Sequence, residues 1–386
     1  MHPNYSEILE QYPTFKNSEL KNRTFLPSQI ERAIKKLKPP FKVNLIGQSV
    51  ENRNIYSITW GTGPLKIFAW SQMHGDEATG TMALFDLFGF LSIESDASNW
   101  LKNNLELHFI PMVNPDGAHY FTRRNAQQID INRDFLQCLS PEAKILKEYF
   151  NKIKPAFGFN LHDQDTLWGI RESKLPATLS FLAPAYNKQL EKGLSRFTAM
   201  QVIADIHQKL ASLLPGQIGL FDDEYEPRAF GDNFQAGGCA TILIEAGGFP
   251  NDDEKQEIRK LYFYALLSGI FSICTKNYLN FNEADYLSIP LNTKPLFHLL
   301  IKDATMPMVK ASIGLNYQEI IDPISRQISK LYSVEDIGDL SPWAAYREVQ
   351  GKQLSVIGNI KFGNLANFDV LEEGQLLFGF RDGIIY

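Results

Sequence analysis

The sequence predicts an α/β protein: a mixed, largely parallel sheet flanked by helices, followed by a smaller C-terminal all-β domain. Three observations carry this. Between residues 41 and 275, short runs rich in β-branched and aromatic residues alternate with helix-length segments, the pattern of strand–helix units. Some of those runs, such as Ile67-Phe68-Ala69-Trp70, lack polar alternation, as expected of strands covered on both faces. After about residue 285 the helical period disappears, and strand-length runs punctuated by Asp, Gly and Asn take over.

In chain order, residues 4–37 read as helical, with Ser28 as N-cap of QIERAIKKLK and Pro39-Pro40 as the stop. Strands are expected at 43–50, 54–61 and 65–72, a helix at 78–93 and a buried-type strand at 105–113. A helix at 141–152, a strand at 156–161, a helix near 197–213 and a strand at 240–246 continue the alternation. A helix at 252–275 closes it. Further strands are expected at 295–304, 327–338, 353–362 and 374–386. No internal repeat or low-complexity stretch is present. These boundaries give a helical segment over 1–40, an α/β domain over 41–280 and a β-rich domain over 285–386.

The chain has 386 residues, enough for two or three domains at roughly 150 residues each. Hydrophobic residues are 44% and charged residues 21%, ordinary for a globular protein. Lys plus Arg is 38 against 44 Asp plus Glu, a net charge of −6, which offers no field for nucleic acid or an acidic membrane. The basic residues of 32–42 read as a solvated helix face, since no aromatics are interleaved for base stacking. The apolar segment 261–274 falls short of the roughly 18 residues a membrane span needs and suits a buried helix. The N-terminal residues lack the basic-then-apolar pattern of a signal peptide, and a cytoplasmic location is expected. Cys138, Cys239 and Cys274 are widely spaced with no CxxC, which excludes a disulfide framework or a cysteine-rich zinc module. Any zinc would need some of the seven histidines together with carboxylates.

The sharpest local signal is His74-Gly75-Asp76-Glu77, directly after a strand and at the mouth of a helix. On such a turn a His and a Glu three apart can aim at one point, and both suit Zn²⁺. His162 closes the strand at 156–161, so it can share a cleft with His74 at the strands' carboxyl ends. His2, His108, His119, His207 and His298 sit at the terminus, in a strand, in a loop, in a helix and in the β domain, and read as structural. Asn114-Pro115-Asp116-Gly117 is a turn by composition. Arg123-Arg124-Asn125 and Asp130-Ile131-Asn132-Arg133 follow it, and either bind an anion or form a solvated loop. Glu245 ends an apolar strand run, where burial is costly without a partner or a task. Such a carboxylate can take a proton from an attacking water and return it to a leaving amine.

The order HGDE, NPDG, RRN, DINR, LH and IEAGG resembles the zinc carboxypeptidase (metallocarboxypeptidase) superfamily over roughly residues 41–275. The resemblance implies His74, Glu77 and His162 as ligands of one zinc ion and Glu245 as general base and acid. It implies that Asn132 and Arg133 bind the substrate's free carboxylate. Arg123, with Arg124 as the alternative, would stabilise the oxyanion, and Asp130 would orient a zinc-bound histidine. Tyr225 fits the spacing of a substrate-contacting tyrosine. The implied activity is hydrolysis of the C-terminal amide bond of a peptide or small amide. Departures bear on the substrate: the third ligand is preceded by Asn160-Leu161 and followed by Asp163-Gln164, and 85 residues separate Glu77 from His162, as in compact bacterial members. The β-rich tail also resembles the aspartoacylase and succinylglutamate desuccinylase branch, which implies N-acyl amino acids as alternative substrates. A murein-peptide amidase and a catalytically idle binding protein are the other options. Trp168, Arg171, Arg228 and Asp232 are candidates to line the side-chain pocket.

Overall fold

The computed structural model describes residues 4–307 and 309–386; His2 lies outside them. The chain divides into two compact units, one running up to Thr166 and resuming over Ala177–Asn292, the other made of Leu167–Pro176 and Thr293–Tyr386. The first unit contains β1 (Lys42–Gln48), β2 (Asn54–Gly61), β3 (Leu65–Ser71), β4 (Leu105–Ile110) and β5 (Phe157–Asp163). The short strands β6 (Gly169–Ile170) and β7 (Leu175–Pro176) belong to the second unit, and β8 (Leu179–Leu182), β9 (Ile218–Leu220) and β10 (Ala240–Ala246) return to the first. Its helices are α1 (Tyr5–Phe15), α2 (Pro27–Lys35), α3 (Thr79–Leu91), α4 (Asp96–Asn104), α5 (Pro115–Tyr120), α6 (Pro141–Ile153), α7 (Leu194–Leu210), α8 (Phe230–Ala236), α9 (Gln256–Thr275) and α10 (Glu283–Leu287).

The sheet runs β1-β2-β4-β3-β5-β10-β8-β9. Its centre, β4-β3-β5-β10, is parallel, while β1, β2 and β8 supply antiparallel pairings. The apolar run of β3 now has its cause. Ile67 and Ala69 enter a core shared with residues of α3, α7 and α9, while Phe68 and Trp70 enter a second core with residues of α6 and α8. A strand with a hydrophobic layer on each side needs no polar face.

The α/β class and the main strand–helix alternation match the sequence expectation. Residues 4–37 do not form one helix, and Ser28 is not the cap: Leu26 occupies that position and Pro27 opens α2. Proline's fixed φ and missing N–H suit the first helical position, which moves the start ahead of Ser28. The segment between α1 and α2 is held by tertiary bonds instead. Asn17 donates its N–H to Asp86 on α3, and its carbonyl accepts from Arg259 on α9. His119, expected in a loop, lies in α5.

The second unit contains β11 (Leu296–Thr305), β12 (Lys310–Ile321), β13 (Ile328–Gly338), β14 (Ala344–Val349), β15 (Leu354–Asn359), β16 (Asn367–Glu372), β17 (Gln375–Arg381) and β18 (Ile384–Ile385). They form a sheet of order β13-β12-β11-β15-β16-β17-β18, with β14 beside β11. Its core includes Leu299, Ile313, Val356, Val370 and Phe380. The β6–β7 hairpin joins this unit through a reciprocal bridge between Gly169 and Thr293.

Candidate metal centre

Three parallel strands deliver the chemistry at their carboxyl ends, where an α/β sheet gathers ligands. His74 and Glu77 occupy the turn from β3 into α3, His162 is the sixth residue of β5, and Glu245 is the register partner of His162 on β10. The turn is tightly specified. A Cβ on Gly75 would lie 1.9 Å from the carbonyl carbon of Gly117, so only glycine permits this approach. Gly117 belongs to the Asn114-Pro115-Asp116-Gly117 turn, where the Asn114 side chain accepts from the Gly117 N–H at 2.8 Å. Asn114 also donates to the Met73 carbonyl at 3.3 Å. The second motif is therefore a brace for the first.

One ligand atom from each of His74, Glu77 and His162 lies within 4.8 Å of the others, and all three residues are buried. His74 Nδ1 is 2.6 Å from Glu77 Oε1, and His162 Nδ1 is 2.7 Å from Glu77 Oε2. One carboxylate thus bridges two inward-facing imidazoles, a His₂Glu donor set that fits zinc in both chemistry and reach. Asp130 Oδ1 meets the far nitrogen of His74, Nε2, at 3.1 Å, which fixes the ring with Nδ1 facing inward. Asp130 also caps the short helix Ile131–Arg133 by accepting from the Asn132 N–H.

Arg123 lies against the cluster. Its Nε donates to Asp130 Oδ2 at 3.0 Å, and its Nη1 is 3.2 Å from His74 Nδ1 and 3.3 Å from Glu77 Oε1. Arg124 turns away, donating to the Gln128 carbonyl. Asn132 and Arg133 lie on the adjoining short helix, and their side chains meet other partners. The Asn132 side-chain carbonyl accepts from the Phe230 N–H, and Arg133 Nε is 3.1 Å from Glu226 Oε2. Tyr225, the residue before Glu226, is half-buried in the segment between β9 and α8. Glu226 was not singled out from the sequence. It sits in an irregular loop, and nothing in the local pattern marks it. Arg228 grips it with two bonds of 2.8 and 2.7 Å. Asp232 is buried and accepts from the Glu226 N–H at 2.9 Å. Trp168 and Arg171 fall in the second unit.

The electrostatics sort the carboxylates. Burial pushes Glu245 well above the ordinary range, and the charges of Glu77 and Asp163 add to it. One oxygen of Glu245 is buried without a hydrogen-bond partner among the described residues. Burial would also raise Glu77, but the two imidazoles outweigh it and hold that carboxyl well below its usual value. Burial would lower His74, yet Glu77 and Asp130 bring it up to about 8. His162 is pulled down by burial. Burial raises Asp76 to about 6 and Asp232 to about 7.

Residues 29–169 match the family model described as zinc carboxypeptidase. Carboxypeptidase 2 of Trichophyton rubrum is 26% identical over 137 residues, covering 34% of this chain and 26% of that protein. The chain thus spans about a quarter of that relative's length. Among solved structures, a metallo-carboxypeptidase from Burkholderia cenocepacia superposes with a TM-score of 0.52 at 16% identity, covering 65% of this chain and 69% of the other. A metallo-carboxypeptidase from Pseudomonas aeruginosa, in complex with (2-guanidinoethylmercapto)succinic acid, gives a TM-score of 0.50 at 17% identity over 64% of this chain and 68% of the other. No described helix is long and apolar enough to cross a membrane. The sheet, the convergence of His74, Glu77 and His162, and the matched segment 29–169 together make the α/β unit of this chain similar to the zinc carboxypeptidases.

Proposed function

We propose that the chain is a zinc-dependent hydrolase cleaving the C-terminal amide bond of a peptide or small amide that bears a free carboxylate. One observation carries the reading: a buried His₂Glu cluster within 4.8 Å, with Glu245 on the neighbouring strand. His74, Glu77 and His162 would hold one zinc ion per chain. When bound, zinc supplies a Lewis acid that polarises the scissile carbonyl and lowers the pKa of water.

The chain's own residues do the rest. Glu245, its proton affinity raised by burial, takes a proton from the attacking water at its carboxylate and returns it to the departing amine nitrogen. Arg123, beside the cluster and 44% exposed, holds the developing oxyanion. Asp130 keeps the His74 ring turned inward. Arg133 and Asn132 take the substrate's terminal carboxylate, which replaces Glu226 on Arg133, with Tyr225 at the adjoining loop. We assign this chemistry to residues 41–280 apart from the stretch Leu167–Pro176, with 1–40 as a packed helical segment; the β domain, expected over 285–386, is formed by that stretch together with Thr293–Tyr386. The free cysteines fit a reducing, cytoplasmic setting.

The second reading, an N-acyl amino acid deacylase, draws on the all-β unit, whose main stretch Thr293–Tyr386 lies outside the matched segment 29–169. One experiment tests both. Zinc-loaded protein is assayed against peptides varied at the C-terminal residue and against N-acyl amino acids, alongside Glu245→Gln. Turnover of one class, falling by about 10²-fold or more in the variant, is the expected result. Near-full turnover by Glu245→Gln would sink the assignment of the base. Binding of either class without turnover would leave a binding protein on this scaffold.

A further inference from the structure

Behind the cluster lies a buried ion pair that no step above uses. Lys255 Nζ is 2.9 Å from Asp163 Oδ2, and both side chains are 7% exposed. The same carboxylate oxygen accepts from Thr79 Oγ1 at 2.6 Å, so two donors from two elements fix one side chain. Asp163 follows His162 directly, and its main-chain N–H donates to Glu77 Oε2 at 3.1 Å. That oxygen is the one facing His162 Nδ1. Lys255 also donates to the Ala246 carbonyl at 3.2 Å, the residue after Glu245. A single ammonium therefore joins the carboxyl ends of β5 and β10, the strands that carry His162 and Glu245.

A buried ion pair is costly, and replacing one with apolar groups often leaves stability unchanged or improved. Stability alone is thus a poor reason for Lys255 to be here. Its placement on the residue that holds Glu77 supplies another. Groups that orient metal ligands typically govern affinity by about 10–100-fold when removed.

We propose that Lys255 and Thr79 are positioning residues for the metal centre: they fix Asp163, whose main-chain N–H in turn holds Glu77 in its bridging orientation. This rests on the zinc-hydrolase reading and goes beyond it by naming what holds that ligand in place. Thr79 opens α3 and Lys255 immediately precedes α9, so the two donors come from the starts of two different helices.

The test is zinc affinity in the full chain, measured by competition with a chromophoric chelator well below each protein's melting temperature. The proteins are wild type, Thr79→Val, Lys255→Met and the charge-neutral pair Asp163→Asn/Lys255→Met. Thr79→Val and Lys255→Met are expected to weaken zinc binding by about tenfold or more. The paired variant should recover part of the loss, because Asp163→Asn keeps a side-chain oxygen that accepts from Thr79. A merely structural ion pair would lower the melting temperature and leave zinc affinity alone. Folded variants binding zinc within about twofold of wild type therefore overturn the proposal while leaving the hydrolase reading intact. Wild-type protein that binds no zinc overturns both. Should Lys255→Met fail to fold, the near-isosteric Thr79→Val decides the matter by itself.

Discussion

Asp232 shows how a single side chain makes stability depend on pH. Burial raises its pKa to about 7, well above that of an exposed aspartate, so the folded state holds this proton more tightly than the unfolded chain does. The sign follows from linkage. Below the unfolded pKa both states are protonated and the residue contributes nothing. As pH rises, the unfolded chain ionises first, and the folded state loses stability until about pH 7. Asp232→Asn removes that penalty while keeping an acceptor for the Glu226 N–H. We expect its melting temperature to exceed wild type at about pH 8 and to converge with it at about pH 4, read by a pair of thermal melts. A gain that is constant across this range would mean that ionisation of Asp232 is not its cause. Sequence pattern cannot supply such a result, because the burial of Asp232 on α8 is set by tertiary packing.

At the scale of elements, the joint of α1, α3 and α9 is made by Asp86 and Arg259, both fully buried. Arg259 donates to Asp86 through Nε at 2.7 Å and through Nη2 at 2.5 Å, and Tyr12 of α1 donates to the same carboxylate at 2.6 Å. Removing one partner strands the other charge without water. Arg259→Met is expected to cost about 3–5 kcal/mol in denaturant unfolding, and pairing it with Asp86→Leu should return much of the loss. If the double variant is no better than the single one, the charge is not the source of the cost. The larger elements were legible in the sequence. The β3 run and the long apolar α9 announce themselves because a buried strand and a buried helix have no polar side to break the pattern. The four residues of β8 and three of β9 are too short to carry a period. The segment between α1 and α2 takes its shape from Asp86 and Arg259, far away in the chain. The same division runs through the site. His74 and Glu77 occupy a strand-to-helix turn, and His162 and Glu245 lie near the ends of apolar strands, so all four could be singled out. Glu226 and Lys255 act through loop paths that no local pattern encodes.

For the whole molecule, three buried donors converging on one point make the native state a receptor that the unfolded chain cannot reproduce. Zinc at about 100 times its dissociation constant should add about 2.7 kcal/mol to the unfolding free energy, and excess chelator should remove it. Equal melting temperatures under the two conditions would argue against a preformed site. The β6–β7 hairpin has a further consequence for how the chain can be divided. The second unit draws on two stretches of sequence, and the first of them starts at Leu167, five positions beyond His162. Residues 293–386 are therefore not a detachable tail. A stop codon after Asn292 would delete Thr293, the bridge partner of Gly169, and leave the hairpin stranded on the α/β unit. A protease cutting the same bond would produce two fragments that still co-purify, because the hairpin remains covalently part of one and folded into the other.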